Sequence, residues 1–371
     1  MEWIHIVFNF IKKNTVLAVA IVGALLTSIV VPPDRQYLEY FDYKTLTCLF
    51  CTLAVVCALK NINFFYILAR RVVTSFKTTR YCVLVLVYIT FIGSMLIAND
   101  MALLTFLPLG YFVLTTTGKK NLMAYVFILQ NIAANLGGML TPFGNPQNLY
   151  LYTKYNITNI EFIKIMFPPF LLSIVIITVC CLLIKSEELV ISNENVKIDC
   201  KRTIVYFILF ALSIAIIFRT IPYVIGLITI PLVLLIVDCK ALKMVDYPLL
   251  FTFVSFFIFS GNMARIDAVR VFFSGLLESS TLITSVLSCQ CISNVPTAIL
   301  LSQFTENYKE LLLGVNIGGV GTLIASLASL ITFREYVKNN PGKTLFYVKQ
   351  FTLMNFAFLV VLVIECYFFV I

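Results

Sequence analysis

The chain has 371 residues, 60% of them hydrophobic and only 12% charged, with a mean hydropathy of +0.98. Soluble chains carry about 25% charged residues, so this composition excludes a large soluble domain and describes an all-α polytopic membrane protein. The single His, His5, leaves no core His for a triad, a metal site or a proton shuttle. The net charge of +9 reads as basic cytoplasmic loops rather than a nucleic-acid surface.

In chain order, apolar runs at 15–32 and 45–60 come first. The second carries Cys48 and Cys51 as a C-x-x-C. With no second pair and no His nearby, these read as buried apolar thiols rather than a metal or redox site. An amphipathic stretch, Phe64–Phe76, leads to the runs 81–97 and 101–117, which meet at Ala98-Asn99-Asp100. They form either a re-entrant inner hairpin, 81–117, or two full spans. The helix 121–136 then runs into Gly137-Gly138-Met139-Leu140-Thr141-Pro142-Phe143-Gly144-Asn145-Pro146-Gln147-Asn148. Gly and Pro at that density break any helix, yet apolar sequence flanks both sides, so 121–155 reads as a broken transmembrane helix. A run at 161–184 closes the first half, 1–184, and the basic stretch 185–202 reads as a cytoplasmic linker.

The second half, 203–371, opens with runs at 203–218, 222–238 and 246–260 and an amphipathic stretch, Ala264–Leu277. The runs 281–292 and 295–304 are each about half a span and meet at Ser293-Asn294-Val295-Pro296. They predict a re-entrant outer hairpin, 280–304, because non-helical backbone at that depth must be buried in protein or line a cavity. Asn316-Ile317-Gly318-Gly319-Val320-Gly321-Thr322 then repeats the word Asn135-Leu136-Gly137-Gly138. It predicts a second broken helix, 309–333, ahead of the last run, 345–371. Lys and Arg gather at Lys12–Lys13, 60–80, Lys119–Lys120, 185–202 (Lys197 included), Lys240, Lys243 and 334–343. That bias puts the N-terminus inside and the C-terminus outside. Two inverted repeats and about ten to eleven spans are expected.

Broken helices in corresponding places of two inverted halves point to the binding site of a secondary active transporter. Interrupted helices expose N–H ends that favour an anion and C=O ends that favour a cation. Asn99, Thr141, Asn145, Asn294, Asn316 and Thr322 supply side-chain donors and acceptors there. Gly137, Gly138, Gly318 and Gly319 let backbone approach a ligand, or let helix pack on helix. Asp100 is the one acid expected near mid-membrane, where an ionisable group is costly. It either handles the coupling ion, a proton or sodium, or bonds backbone N–H groups at the start of the second arm. No GxxxxGK[ST] element occurs, so ATP hydrolysis is not expected. The expected partners are a small anion, a coupling ion and the lipid of a cell membrane, with no cofactor beyond a sodium ion. A sodium/proton antiporter is the alternative class.

A family resemblance sits on these same residues. Ala98-Asn99-Asp100-Met101-Ala102-Leu103-Leu104 resembles the A-N-D-x-A-x-L element of arsenical pump membrane permeases. Thr141-Pro142-Phe143-Gly144-Asn145-Pro146-Gln147-Asn148 is similar to the T-x-x-G-x-P-x-N segment of divalent anion:sodium symporters and citrate-transporter-like permeases. Ser293-Asn294-Val295-Pro296-Thr297 resembles the tips of both groups. The chain therefore resembles the ion transporter superfamily over nearly its whole length. That resemblance implies a homodimer joined through a scaffold domain, with a mobile domain carrying two hairpins as an elevator. It also implies that Asn99, Gly137, Gly138, Thr141, Ser293, Asn294 and Thr297 bind sodium and a substrate carboxylate. Carboxylate or oxyanion transport and arsenite or antimonite efflux both fit it.

Overall fold

The computed structural model describes residues 14–188 and 199–370. His5, Lys12, Lys13 and Lys197 lie outside the described residues. Those residues fold into eighteen α-helices with no strand. The first half contains α1 (Thr15–Val30), α2 (Tyr43–Asn61), α3 (Phe64–Thr74), α4 (Thr79–Ile97), α5 (Asn99–Thr116), α6 (Met123–Gly137), α7 (Pro146–Lys154) and α8 (Asn159–Leu182). The second contains α9 (Cys200–Ile217), α10 (Tyr223–Val237), α11 (Cys239–Lys243), α12 (Tyr247–Ala264), α13 (Asp267–Ser279), α14 (Thr281–Ile292), α15 (Asn294–Leu301), α16 (Tyr308–Ile317), α17 (Leu327–Asn339) and α18 (Thr344–Glu365).

Seven helices among the described residues are long and apolar enough to cross a membrane. They are α2, α4, α8, α9, α12, α18 and α6 with its flanking 3-10 turns. α1, α10 and α14 are apolar but shorter. The outer surface is apolar where lipid would lie: Leu26, Ile29, Ile236 and Leu353 are all exposed. Polar residues stop the helices where the chain leaves that surface. Asp42, Thr158, Asp246, Ser280 and Asn307 each accept a backbone N–H at the start of α2, α8, α12, α14 and α16, satisfying one of the four donors a helix start leaves free. Outside the apolar layer, Arg265 pairs with both carboxylate oxygens of Asp34 at 3.1 and 2.7 Å, tying the loop after α1 to the end of α12.

The two amphipathic stretches are helices, α3 and α13. α6 gives way to 138–145 before α7, and α16 to 318–326 before α17. The apolar run at 323–333 marked the second segment too early. Its helix begins at Leu327 and continues through Arg334, Glu335 and Lys338 to Asn339, because a helix that leaves an apolar layer keeps its hydrogen bonds while its side chains turn polar. α4 and α5 are 19 and 18 residues long, much longer than the arms α14 and α15, at 12 and 8.

Packing puts the hairpins and the breaks together. The first arms lie on their own half's broken helix, α4 on α6 and α14 on α16. The second arms reach across, α5 to α17 and α15 to α7.

Candidate functional site

Both hairpins turn on a single residue with a positive φ, Ala98 (φ 66°, ψ 152°) and Ser293 (φ 75°, ψ 159°). This region is nearly reserved for Gly, and holding another residue in it costs on the order of 1–3 kcal/mol. The turn is held by contacts on both sides. Asn99 N–H donates to Gly144 O at 3.1 Å, and Asn294 N–H to Ala325 O at 2.9 Å. Each tip Asn then folds back to accept the next backbone N–H: Asn99 Oδ1 from Asp100 and Asn294 Oδ1 from Val295, both at 2.9 Å. Ala98→Gly should therefore relieve strain and stabilise the fold by about 1 kcal/mol, after the entropy of an unfolded Gly is deducted. A rise in unfolding temperature checks this; a fall would mean the conformation costs Ala98 nothing.

The breaks correspond position by position. Counting from Asn135 and Asn316, Thr141 and Thr322 occupy the same place, as do Gly144 and Ala325, Asn145 and Ser326, and Asn148 and Ser329. Thr141 Oγ1 donates to Met95 O at 2.8 Å, and Thr322 Oγ1 to Gln290 O at 3.1 Å. Both acceptors lie four residues before a tip Asn. These hydroxyls thus pin the breaks to the hairpins, and Thr297 Oγ1 bonds within its own hairpin, to Ser293 O.

Between the breaks lies a buried amide cluster. Asn99 Nδ2 donates to Asn135 Oδ1 at 3.2 Å. Asn145 Nδ2 donates to Asn135 O and to Asn316 Oδ1, each at 3.2 Å. Asn316 Nδ2 donates to Asn148 Oδ1 at 2.6 Å, and Asn131 Nδ2 to Ser329 Oγ at 3.3 Å. Asn316 and Ser329 flank the second break, Asn131, Asn135, Asn145 and Asn148 lie in or beside the first, and Asn99 is the first hairpin's tip, so the cluster is shared. Asn294, at the second hairpin's tip, lies near it: a Cβ on Gly319 would be 3.0 Å from Asn294 Nδ2 and 3.7 Å from Asn135 Oδ1. Cavities of about 680 and 330 Å³ elsewhere in the molecule are lined by neither tip.

The four Gly differ in what they face. A Cβ on Gly137 would meet Phe91 O of α4 at 2.2 Å, and one on Gly318 would meet Cys289 of α14 at 3.0 Å. These two bring a broken helix against a hairpin arm. Gly138 faces the returning chain, with Asn145 Oδ1 at 2.4 Å and Gly144 O at 2.8 Å from a Cβ. Gly138 and Gly319 thus both face cluster amides, Gly138 through Asn145 and Gly319 through Asn294 and Asn135.

Acceptors outnumber donors around the first break. One amide, Asn148 Nδ2, stands 3.3 Å from three carbonyls, those of Gly138, Met139 and Thr141, yet has only two hydrogens. Asn145 Oδ1 and Asp100 Oδ1 are buried without a partner. No Lys or Arg supplies any of the cluster's bonds described above. Asp100 does not cap α5, whose start has no side-chain cap; Asn99 Oδ1 takes the Asp100 N–H instead. A surplus of buried acceptors beside an acid favours a cation or a proton. The tip N–H groups and amide donors suit an oxygen-rich solute.

Asn131 and Ser329 were not singled out from sequence, and Asn135 and Asn148, although part of the marked motifs, were not named as site residues. The spacing of Asn131 and Asn135, one helical turn apart in an otherwise apolar α6, was the available signal.

Helices that cross an apolar layer, interrupted at a shared polar cluster, define a multi-pass membrane transporter. The chain matches the family model described as citrate transporter (CitMHS) over residues 3–308, and it belongs to that family. It is 32% identical over 316 residues to the uncharacterized transporter MJ0456 of Methanocaldococcus jannaschii, covering 84% of this chain and 86% of that protein. It is 27% identical over 327 residues to the inner membrane protein YbiR of Escherichia coli K12, covering 85% of each. A shorter similarity, 32% over 155 residues, links 41% of this chain to 31% of the silicon efflux transporter LSI3 of Oryza sativa subsp. japonica.

Proposed function

We propose that this protein is a secondary active transporter of a small oxygen-rich anion, a carboxylate or an oxyanion, driven by a proton or sodium gradient. The observation that carries this reading is the cluster shared by two tips and two breaks, with Asp100 Oδ1 and Asn145 Oδ1 buried and unpaired beside it. The acceptors at the first break would hold the coupling ion, and the tip amides would hold the solute's oxygens. The two hairpins with their broken helices would move together as an elevator against the remaining helices, in a homodimer in the cell membrane.

A second reading, export of an undissociated hydroxylated acid such as arsenite, is favoured by the lack of Lys and Arg among the cluster's bonds. Amides can donate to and accept from several hydroxyls without any charge to neutralise. The similarity to a protein named as a silicon efflux transporter supports this reading. Thermal unfolding of the purified protein against sodium, lithium, citrate, sulfate, phosphate, arsenite and silicic acid separates the two, since a ligand of the folded state raises the unfolding temperature by mass action. Stabilisation by citrate or an oxyanion supports the first reading and by undissociated acids alone the second. No response to any of them would overturn both.

In the inverted arrangement Lys119–Lys120 faces the cytoplasm and α13 faces outside. On a Cys-free background, Glu278→Cys should react with an impermeant thiol reagent in intact cells, and Lys120→Cys only after permeabilisation. The opposite pattern would exclude this topology.

A further inference from the structure

The two breaks share their register but not their filling. In the second, Gln290 Nε2 donates to Gly318 O at 2.9 Å and to Val286 O at 3.1 Å, while its Oε1 accepts Thr322 N–H at 2.8 Å. The carboxamide comes so close that a Cβ on Gly321, whose φ is +142°, would lie 2.2 Å from Gln290 Oε1. In the first half the same two positions hold Met95 and Leu140. Met95 lends its backbone oxygen to Thr141 as Gln290 does to Thr322, but its thioether has no donor. No described protein acceptor meets Thr141 N–H.

We propose that Gln290 is a built-in substitute for ligand at the second break, so that one coupling ion and one solute bind per protomer, at the first break alone. This rests on the transport reading above. The carboxamide NH₂ stands where a cation would meet the break's carbonyl, and its oxygen stands where an anionic solute would meet the Thr322 N–H. Both needs of a broken helix, a partner for an exposed C=O and one for an exposed N–H, are met by one neutral side chain. The first break, with Met95 in that place, leaves both to ligands. Gly321 is then required where Leu140 suffices, because only a residue without Cβ admits the amide.

Gln290→Glu tests this in the purified full-length protein. It keeps an acceptor for Thr322 N–H but turns a carboxylate toward Gly318 O and Val286 O, where only a cation or a proton can restore the lost donor. At pH 8 in choline chloride the variant should unfold at a lower temperature than wild type. Sodium chloride should then raise it saturably beyond any wild-type response, by about 3 °C at a hundredfold excess over the dissociation constant. Gln290→Met, which installs the first half's residue, should likewise gain a sodium response steeper than wild type. Variants that follow the wild-type sodium curve, or that both fail to fold, would overturn the proposal in favour of a purely structural strut. The wild-type curve separately judges the coupling site at the first break. If it is flat in both sodium and pH, that reading fails, while the difference between variant and wild type still decides the role of Gln290.

Discussion

Asn99→Ala and Asn294→Ala should each cut transport by roughly one to two orders of magnitude, because a hydrogen bond to a charged group contributes about 1.5–3 kcal/mol. Each side chain lies at a hairpin tip, and each tip is also held through main-chain groups that Ala retains: Asn99 N–H on Gly144 O and Asn294 N–H on Ala325 O. Asn294→Ala should therefore fold and insert normally while losing the amide proposed to meet the solute, whereas Asn99→Ala also orphans the buried Asn135 Oδ1 and should lose about 1–3 kcal/mol of stability besides. Asn316→Ala contrasts with Asn294→Ala. Its carboxamide joins Asn145 to Asn148, so truncation orphans a buried donor and a buried acceptor, at about 1–3 kcal/mol each. That variant should lose stability as well as transport. Counterflow in reconstituted vesicles, paired with unfolding temperature, distinguishes the outcomes. Normal counterflow in both tip variants would make the tips structural elements and the site assignment wrong.

That contrast also shows what was legible in the sequence. The breaks were visible because Gly and Pro interrupt apolar sequence at Gly137–Pro146 and Gly318–Gly321, and no continuous helix tolerates them. The second hairpin was visible because two short apolar runs meet at an Asn. The partnership of Asn131 with Ser329 was not visible, because it joins residues 198 positions apart and neither lies in a marked motif. The strained turn at Ala98 was equally hidden. Positive φ is usually signalled by Gly or Asn, whereas Ala98 is held there by the chain on either side. Nor could the repeated Gly-Gly reveal that Gly137 and Gly318 face helices while Gly138 and Gly319 face amides. That choice depends on how each broken helix is rotated, which follows from the helices packed around it. Gln290 escaped because a lone Gln in an apolar run has no pattern. It stands out only when two breaks are compared in one register.

Asp100→Asn should uncouple flux from its driving ion, and the geometry states how. Asp100 opens α5, where the positive end of the helix favours its carboxylate, but one of its oxygens is buried with no partner. A bare buried acceptor of this kind is costly, so a proton or a cation that fills it would change the energy of the whole tip as the site opens to one side or the other. With protons as the coupling ion, the Asn variant mimics the protonated acid permanently. Flux should then no longer follow an imposed pH gradient, while exchange of solute across the membrane continues. With sodium, wild-type flux should depend on sodium at fixed pH, and the variant should need far more of it. Vesicles carrying independently imposed proton and sodium gradients tell the two apart. We expect the proton result, because the neighbouring A-N-D tip resembles the arsenical permeases more than the sodium symporters. If Asp100→Asn left both dependences intact, Asp100 would merely complement the start of α5. The coupling ion would then have to be held by the carbonyls of Gly138, Met139 and Thr141 with Asn145 Oδ1.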